Sequence, residues 1–142
     1  MKQSFTVLRI ILIAVCAANF YAAYVFFATP EVISGMYGQP MDHFHTFLAM
    51  VIGALMSVFA FGTILPIVKP LKYGAIIIML LLMHFTIFLI DVVTLARGQM
   101  PWSVILPEMI YFLVVSTALV RWYPLGGKEA EEKKEAEEAS AL

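Results

Sequence analysis

The sequence predicts an all-α integral membrane protein, an antiparallel four-helix bundle with both termini on the cytoplasmic side. Three observations predict this fold class. Of the 142 residues, 62% are hydrophobic and only 13% are charged, and the apolar residues form four long runs. Soluble domains carry about 25% charged residues, so this composition excludes an ordinary soluble domain. A helix needs about 20 apolar residues to cross a bilayer, and each run is about that long.

The predicted spans are almost free of charge and are separated by prolines; they are residues 7–27, 47–68, 73–96 and 102–122. Lipid cannot hydrogen-bond the backbone, so a spanning segment is a helix or part of a closed barrel. Runs such as 75–83 lack the alternation of barrel strands, which favours helices. The fourth helix has two candidate starts, Trp102 and Pro107. Residues 1–125 therefore form the transmembrane domain, and a charged tail, helical or disordered, follows at 126–142.

The placement of lysine and arginine predicts the orientation. If both termini are cytoplasmic, Arg97 is the one basic residue outside. The inside set is Lys2, Arg9, Lys69, Lys72, Arg121, Lys128, Lys133 and Lys134. Cytoplasmic segments are enriched in lysine and arginine, so this asymmetry predicts a multi-pass protein of the cell inner (cytoplasmic) membrane. The tail carries a charge of −3 and the other 125 residues sum to +2.

Few polar side chains lie within the predicted spans, and ionisable residues there are candidates for function. The candidate polar pocket consists of His84, Asp91, Glu108 and Asn19. Asp91 is expected about 9 Å below Arg97, and His84 lies seven residues deeper on the same helical face. The candidate outer lip, at the start of the second span, consists of Asp42, His43 and His45.

Histidine beside carboxylates can bind a divalent metal or relay protons. No metal is assigned, because no ligand spacing here matches a recognised zinc pattern. Bis-histidine haem is not expected, because His45 and His84 differ in depth by roughly 15–18 Å. Catalytic residues and cofactors are therefore left unassigned, with a quinone or a divalent metal as the candidates.

A purely structural interpretation competes with this site. A fourth helix that begins at Pro107 would place Glu108 in its first turn, where a carboxylate suits the helix dipole. Asp91 would pair with Arg97 or solvent. His84 would then be a neutral histidine bonded to Asn19, to Thr86 or to a backbone carbonyl.

Small residues at four-residue spacing predict close packing of the first two spans. The first span offers Ala14, Ala18 and Ala22, and the second offers Ala49, Gly53 and Ser57. Close backbone approach is a main source of helix association in lipid. We expect these two stripes to pack internally, and dimerisation through either of them is the alternative.

The layout also resembles the DoxX-like superfamily of small four-helix bacterial membrane proteins. The resemblance is carried by Pro30, Tyr37-Gly38, Gly53-Ala54-Leu55 and Gly62, within residues 30–62. It implies a four-span fold. Some members of that superfamily are linked to quinone-coupled sulfur oxidation, and most have no assigned activity.

These observations favour a non-enzymatic accessory or assembly protein over an enzyme. A quinone-linked or metal-binding redox subunit is the first alternative, and a small transporter or proton pathway is the second. The expected partners are the lipid bilayer and either a membrane protein or a second copy of the chain, and not nucleic acid.

Overall fold

A computed structural model describes residues 2–38 and 40–123 of the chain. These residues form five helices and no strand: α1 Lys2–Ala28, α2 Pro30–Tyr37, α3 His43–Val68, α4 Gly74–Ala96 and α5 Trp102–Trp122. α1, α3, α4 and α5 contain segments long and apolar enough to cross a membrane. The prediction of an all-helical chain with four apolar helices is confirmed. The predicted tail, 126–142, lies outside the described residues.

Two helices begin earlier than the apolar runs that predicted them. α1 begins at Lys2 rather than Val7, and α3 begins at His43 rather than Phe47. Backbone hydrogen bonding continues through polar residues at a helix end, whereas hydropathy detects only the apolar part. α3 starts at His43 because Asp42 caps it: the Asp42 carboxylate accepts a hydrogen bond from the His45 backbone N–H at 2.8 Å.

The long connection after α1 contains a helix that the sequence analysis did not predict. α2 has Pro30 at its first turn and Glu31 beside it, both favourable at a helix N-terminus. Gly38 ends it in the left-handed conformation, with φ of 66°, and donates its N–H to the Ser34 carbonyl at 2.9 Å. This is the usual glycine termination of a helix.

Contacts define two ends of the bundle. Met100 lines the same cleft as Pro40 and His45, so residues 97–101 lie near the connection between α1 and α3. We call this the loop end. At the other end the Arg9 guanidinium donates to the Val68 carbonyl at 3.3 Å, beside the short connection 69–73. We call this the turn end.

The helices associate mainly in two pairs, α1 with α3 and α4 with α5. α1 and α3 approach closely at Gly53, where an added Cβ would lie 2.8 Å from the Phe27 backbone nitrogen and 3.1 Å from the Ala23 carbonyl oxygen. The Cys16 thiol donates to the Ala60 carbonyl at 3.3 Å. α1 and α3 are therefore in near backbone contact.

The turn-end half of the bundle has an apolar interior, which we call the apolar core. Its members are Leu8, Leu12, Val15, Ile77, Leu80, Val115, Leu119 and Tyr123. They come from α1, α4 and α5 and from the residue that follows α5. Their spacing of three and four residues gives each helix one interior stripe. Continued toward the loop end, the same stripes carry polar residues.

Candidate functional site

His84 lies on the interior stripe of α4, and its side chain is fully buried. Its Nδ1 lies 2.7 Å from the Leu80 carbonyl oxygen, so Nδ1 carries the hydrogen and donates it. In the neutral ring Nε2 is then an acceptor, and within the described part of the chain Nε2 has no partner. Of the three partners that the structural interpretation offered, the structure selects a backbone carbonyl.

Two aromatic rings of α5 lie beside this histidine. The ring centroids of Tyr111 and Phe112 lie 5.8 Å and 5.4 Å from that of His84. The Tyr111 hydroxyl is buried and has no hydrogen-bond partner among the described residues. The sequence analysis missed Tyr111, although its spacing of three residues from Glu108 places both on one helical face.

The two acids of the candidate pocket also face the interior. Asp91 is 8% exposed, and its Oδ2 has no partner in the described ranges. Glu108 is half-buried and interacts electrostatically with Asp91. We call these two residues the acid pair. Asp91 and His84 are seven residues apart, so they share a face but lie about 10 Å apart along α4.

The structure contradicts the interpretation in which the fourth helix begins at Pro107 and Glu108 lies in its first turn. α5 begins at Trp102, and Pro107 lies inside it. Glu108 therefore occupies the stripe formed by the buried residues Ile105 and Phe112, beyond the first turn of the helix. Proline has no backbone N–H, so α5 lacks the intrahelical hydrogen bond that residue 107 would otherwise donate to the Ser103 carbonyl. Helix-dipole placement does not explain this acid.

Asn19 is the residue that α1 supplies to the candidate polar pocket. It is 5% exposed, and its Nδ2 has no partner in the part of the chain that the structure describes. It lies on the same stripe as Val15 and Ala23, both buried. Asn19, His84, Asp91, Glu108 and Tyr111 form what we call the polar core. The structure places the His84 ring beside that of Tyr111 and brings Asp91 and Glu108 within electrostatic range of each other. Among the described residues it gives no hydrogen bond between these two acids, or from Asn19 to any member of the polar core.

The candidate outer lip is separate from the polar core. Asp42 Oδ1 and His45 Nδ1 lie 2.7 Å apart, within hydrogen-bond distance, and the two side chains are 65% and 61% exposed. The backbone N–H of His45, assisted by its ring, holds the pKa of Asp42 below its ordinary value. His43 is also exposed. Across residues 2–38 and 40–123, no three His, Cys, Asp or Glu side chains are grouped to hold a metal ion.

The predicted packing stripe faces the interior on α3 but only partly does so on α1. On α3, Ala49 and Gly53 are buried, and the Ser57 hydroxyl donates to the Gly53 carbonyl at 3.0 Å. On α1, Ala14 is exposed, and Ala18 and Ala22 are half-buried. The α1 face that meets α3 instead carries Cys16, Ala23 and Phe27. α1 is apolar all round, so small-residue spacing alone did not identify its inward face.

A cleft at the loop end lies near the outer lip. It has a volume of about 450 Å³ and lies between α2, the end of α1 and the start of α3. Its walls are mostly apolar, with Phe26, Leu48 and Ile52 among them, and His45 lines it. Small-molecule sites typically combine apolar walls with a few polar groups. The sequence analysis did not predict this cleft, because it depends on the unpredicted helix α2.

The fold and the site define a class: an all-helical protein with four membrane-spanning candidates and a polar core in one half of its interior. Comparisons with protein-family models, with curated proteins and with solved structures return no match. The DoxX-like resemblance therefore stays a prediction.

Proposed function

We propose that the chain is a multi-pass protein of the cytoplasmic membrane, with its four spans antiparallel and both termini inside. Contacts between early α1 and late α3 (Arg9 with Val68), and between late α1 and early α3 (Phe27 with Gly53), support the antiparallel pairing. The excess of lysine and arginine at the turn end supports a cytoplasmic location for that end.

Single cysteines test this topology. In a Cys16→Ala background, a membrane-impermeant maleimide added to intact cells should label Gln99→Cys and leave Lys72→Cys unlabelled. Labelling of Lys72→Cys alone would invert the proposed orientation. Labelling of both would contradict four spans.

We propose further that the polar core binds a proton that enters from the loop end, which makes the chain a small proton-handling membrane protein. One observation carries this proposal: Asp91 is buried and Glu108 is half-buried among the helices, and no lysine or arginine of the described residues forms an ion pair with either acid. Two neighbouring carboxylates in a low-dielectric interior repel each other and are poorly solvated. A shared proton relieves both penalties.

The surroundings of the acid pair support a short pathway rather than a continuous one. Asp91 lies five residues from the end of α4, about 8 Å from the loop end. His84 lies about 10 Å deeper, with a free acceptor at Nε2. Beyond His84 the apolar core continues with aliphatic side chains, and its one hydroxyl, on Tyr123, lies at the far, turn end. The proposed pathway therefore ends at His84 within one chain.

Carboxyl chemistry tests the proposed proton. Dicyclohexylcarbodiimide reacts with protonated carboxyl groups in apolar surroundings and not with exposed carboxylates. At neutral pH we expect it to modify Asp91 or Glu108 in the purified protein, as located by peptide mass spectrometry. Asp91→Asn and Glu108→Gln should reduce the labelling, and Asp42→Asn is the matched control with an exposed acid. Absence of modification at both core acids, with a reactive control protein in the same vesicles, would overturn the proposal.

The cleft at the loop end favours a second candidate, a quinone-linked redox subunit. A flat apolar ring can enter a cleft of this volume, and the Nε2 of His45 is the ring nitrogen not bonded to Asp42. Gently extracted protein should then contain quinone in the organic extract, and His45→Ala should lower its amount. Protein with no extractable quinone and no metal would remove this candidate.

The accessory or assembly function stays a prediction. Its test is purification from native membranes, where a partner at stoichiometric amount would support it and a solitary chain would contradict it.

A further inference from the structure

A groove on the outside of the bundle lies between α4 and α5, away from the polar core and from the cleft at the loop end. Its volume is about 580 Å³, and its floor is apolar, with Leu82, Phe85, Leu113 and Val120 among the lining residues. Arg121, in the last turn of α5, is also part of its lining. The groove thus combines a long apolar surface with one cation at its end.

The length of the groove matches one leaflet of a bilayer. From Leu113 to Arg121 is eight residues, which is about 12 Å along the helix. Half of the hydrocarbon thickness is about 15 Å. Leu113 therefore lies near the middle of the bilayer when Arg121 lies at the headgroup level. Trp122 follows Arg121, and tryptophan favours that interface.

Two hydroxyl groups lie between the arginine and the apolar part of the groove. Ser116 and Thr117 both line it, about one turn before Arg121. The Ser116 hydroxyl oxygen is buried and has no partner among the described residues. Thr63, elsewhere in the bundle, satisfies its hydroxyl on the carbonyl four residues earlier, at 2.6 Å. The Ser116 oxygen is enclosed by protein, so the hydroxyl that a ligand in the groove can reach is that of Thr117, which is exposed.

We propose that this groove binds an anionic phospholipid. An acyl chain lies against Leu82, Phe85 and Leu113, the phosphate pairs with the Arg121 guanidinium, and the Thr117 hydroxyl donates to an ester carbonyl. Arginine pairs strongly with phosphate oxygens. Lys69 and Lys72 in the turn-end connection add positive charge at the same level, which favours a lipid with net negative charge. This inference does not depend on proton binding by the polar core.

Native mass spectrometry of the full-length chain tests the site. The protein is released from nanodiscs that contain equal amounts of phosphatidylglycerol and phosphatidylcholine with identical acyl chains. We expect phosphatidylglycerol to be retained preferentially, and Arg121→Gln to lower that preference about fivefold. Arg97→Gln, an exposed arginine at the loop end, is the matched control and should leave the preference unchanged.

A second variant separates this site from general attraction to a basic surface. Leu113→Trp fills the deep end of the groove at a position that already faces outward, 54% exposed. It should lower retention of both lipids while Arg121 is intact. Equal retention of the two lipids by the wild-type chain, a preference that Arg121→Gln leaves unchanged, or a total lipid retention that Leu113→Trp leaves unchanged would overturn the proposal.

Discussion

The two halves of the interior are built on the same helical stripes but from opposite kinds of side chain. At the turn end, Leu8, Leu12 and Val15 of α1 meet apolar residues of α4 and α5. Toward the loop end, the α1 stripe reaches Asn19 and the α4 stripe reaches His84 and then Asp91. α1, α4 and α5 run through both halves, so the halves differ in the side chains that the interior stripes of these helices carry.

The two halves differ in what their interior side chains contribute to stability and to function. Burial of apolar side chains packs the helices, whereas a buried polar atom without a partner costs about 1–3 kcal/mol. Four of the five such atoms that the structure describes belong to the polar core, on Asn19, His84, Asp91 and Tyr111, and the fifth, on Ser116, lies in the turn-end half. Side chains that lower stability in this way are characteristic of functional sites. The turn-end half therefore stabilises the bundle, and the loop-end half carries the candidate chemistry.

The largest expected effect is a truncation in the apolar core. Leu12 is fully buried, and Leu12→Ala should lower the free energy of unfolding by about 3 kcal/mol because it leaves a cavity. Ile13→Ala is the matched control, since Ile13 is 54% exposed on the outer face and lipid can fill the space. Reversible unfolding in bicelles measures both. Equal effects at the two positions would contradict the assignment of this half as the stabilising one.

An intermediate effect tests whether the loop-end half is also tightly packed. A Cβ at Gly53 would meet the backbone of Phe27 at 2.8 Å, so Gly53→Leu should separate α1 from α3 and destabilise the protein by about 1–3 kcal/mol. At Gly62 an added Cβ meets nothing within 4 Å, so Gly62→Leu serves as the control. If both variants unfold alike, the close approach of α1 and α3 is not a source of stability.

A smaller effect of opposite sign is expected in the polar core. Asp91→Leu removes a buried carboxyl that has no basic partner, so it should raise the free energy of unfolding by about 1 kcal/mol. The same variant should lose carbodiimide labelling at position 91. The unfolding measurement used for Leu12→Ala reports the stability. A strongly destabilised Asp91→Leu would show that this acid is structural and would remove the contrast between the halves.

The smallest effect is a pH dependence at the start of α3. The pKa of Asp42 is lowered by the N–H of His45, so the folded protein binds the proton less readily than the unfolded chain. The stabilisation that the ionised Asp42 carboxylate gives is therefore fully present above the ordinary pKa of aspartate. It is lost as the pH falls through the lowered pKa of Asp42. Asp42→Asn should flatten this acid-side loss. Hydrogen exchange of the first turn of α3 between about pH 6 and about pH 3 measures it, and an identical profile in the variant would contradict it.

Hydropathy predicted the four long helices because lipid requires long apolar segments with internal hydrogen bonds. It did not predict α2, whose eight residues are too short to span a membrane. Local signals for α2 were nevertheless present in Pro30, Glu31 and Gly38. A search for helix starts and ends, rather than for apolar length, would have found it.

The interior residues were harder to predict because both faces of a membrane helix are apolar. His84, Asp91 and Asn19 were identified because polar groups avoid lipid. Ala14 and Ala18 were chosen by spacing alone, and Ala14 lies on the exposed face. The sequence analysis missed Tyr111 because tyrosine is common at membrane interfaces, so a tyrosine within a span does not by itself indicate a site.

The apolar core also has an electrical consequence. A transmembrane voltage falls mainly across the part of the bilayer that contains neither water nor mobile charge. A proton that reaches Asp91 from the loop end crosses about 8 Å of about 30 Å, and hence about a quarter of the voltage. At 100 mV this corresponds to about 0.6 kcal/mol, or about a threefold change in proton occupancy. The larger part of the voltage would then fall across Leu12, Leu80 and Leu119, whose side chains carry no charge.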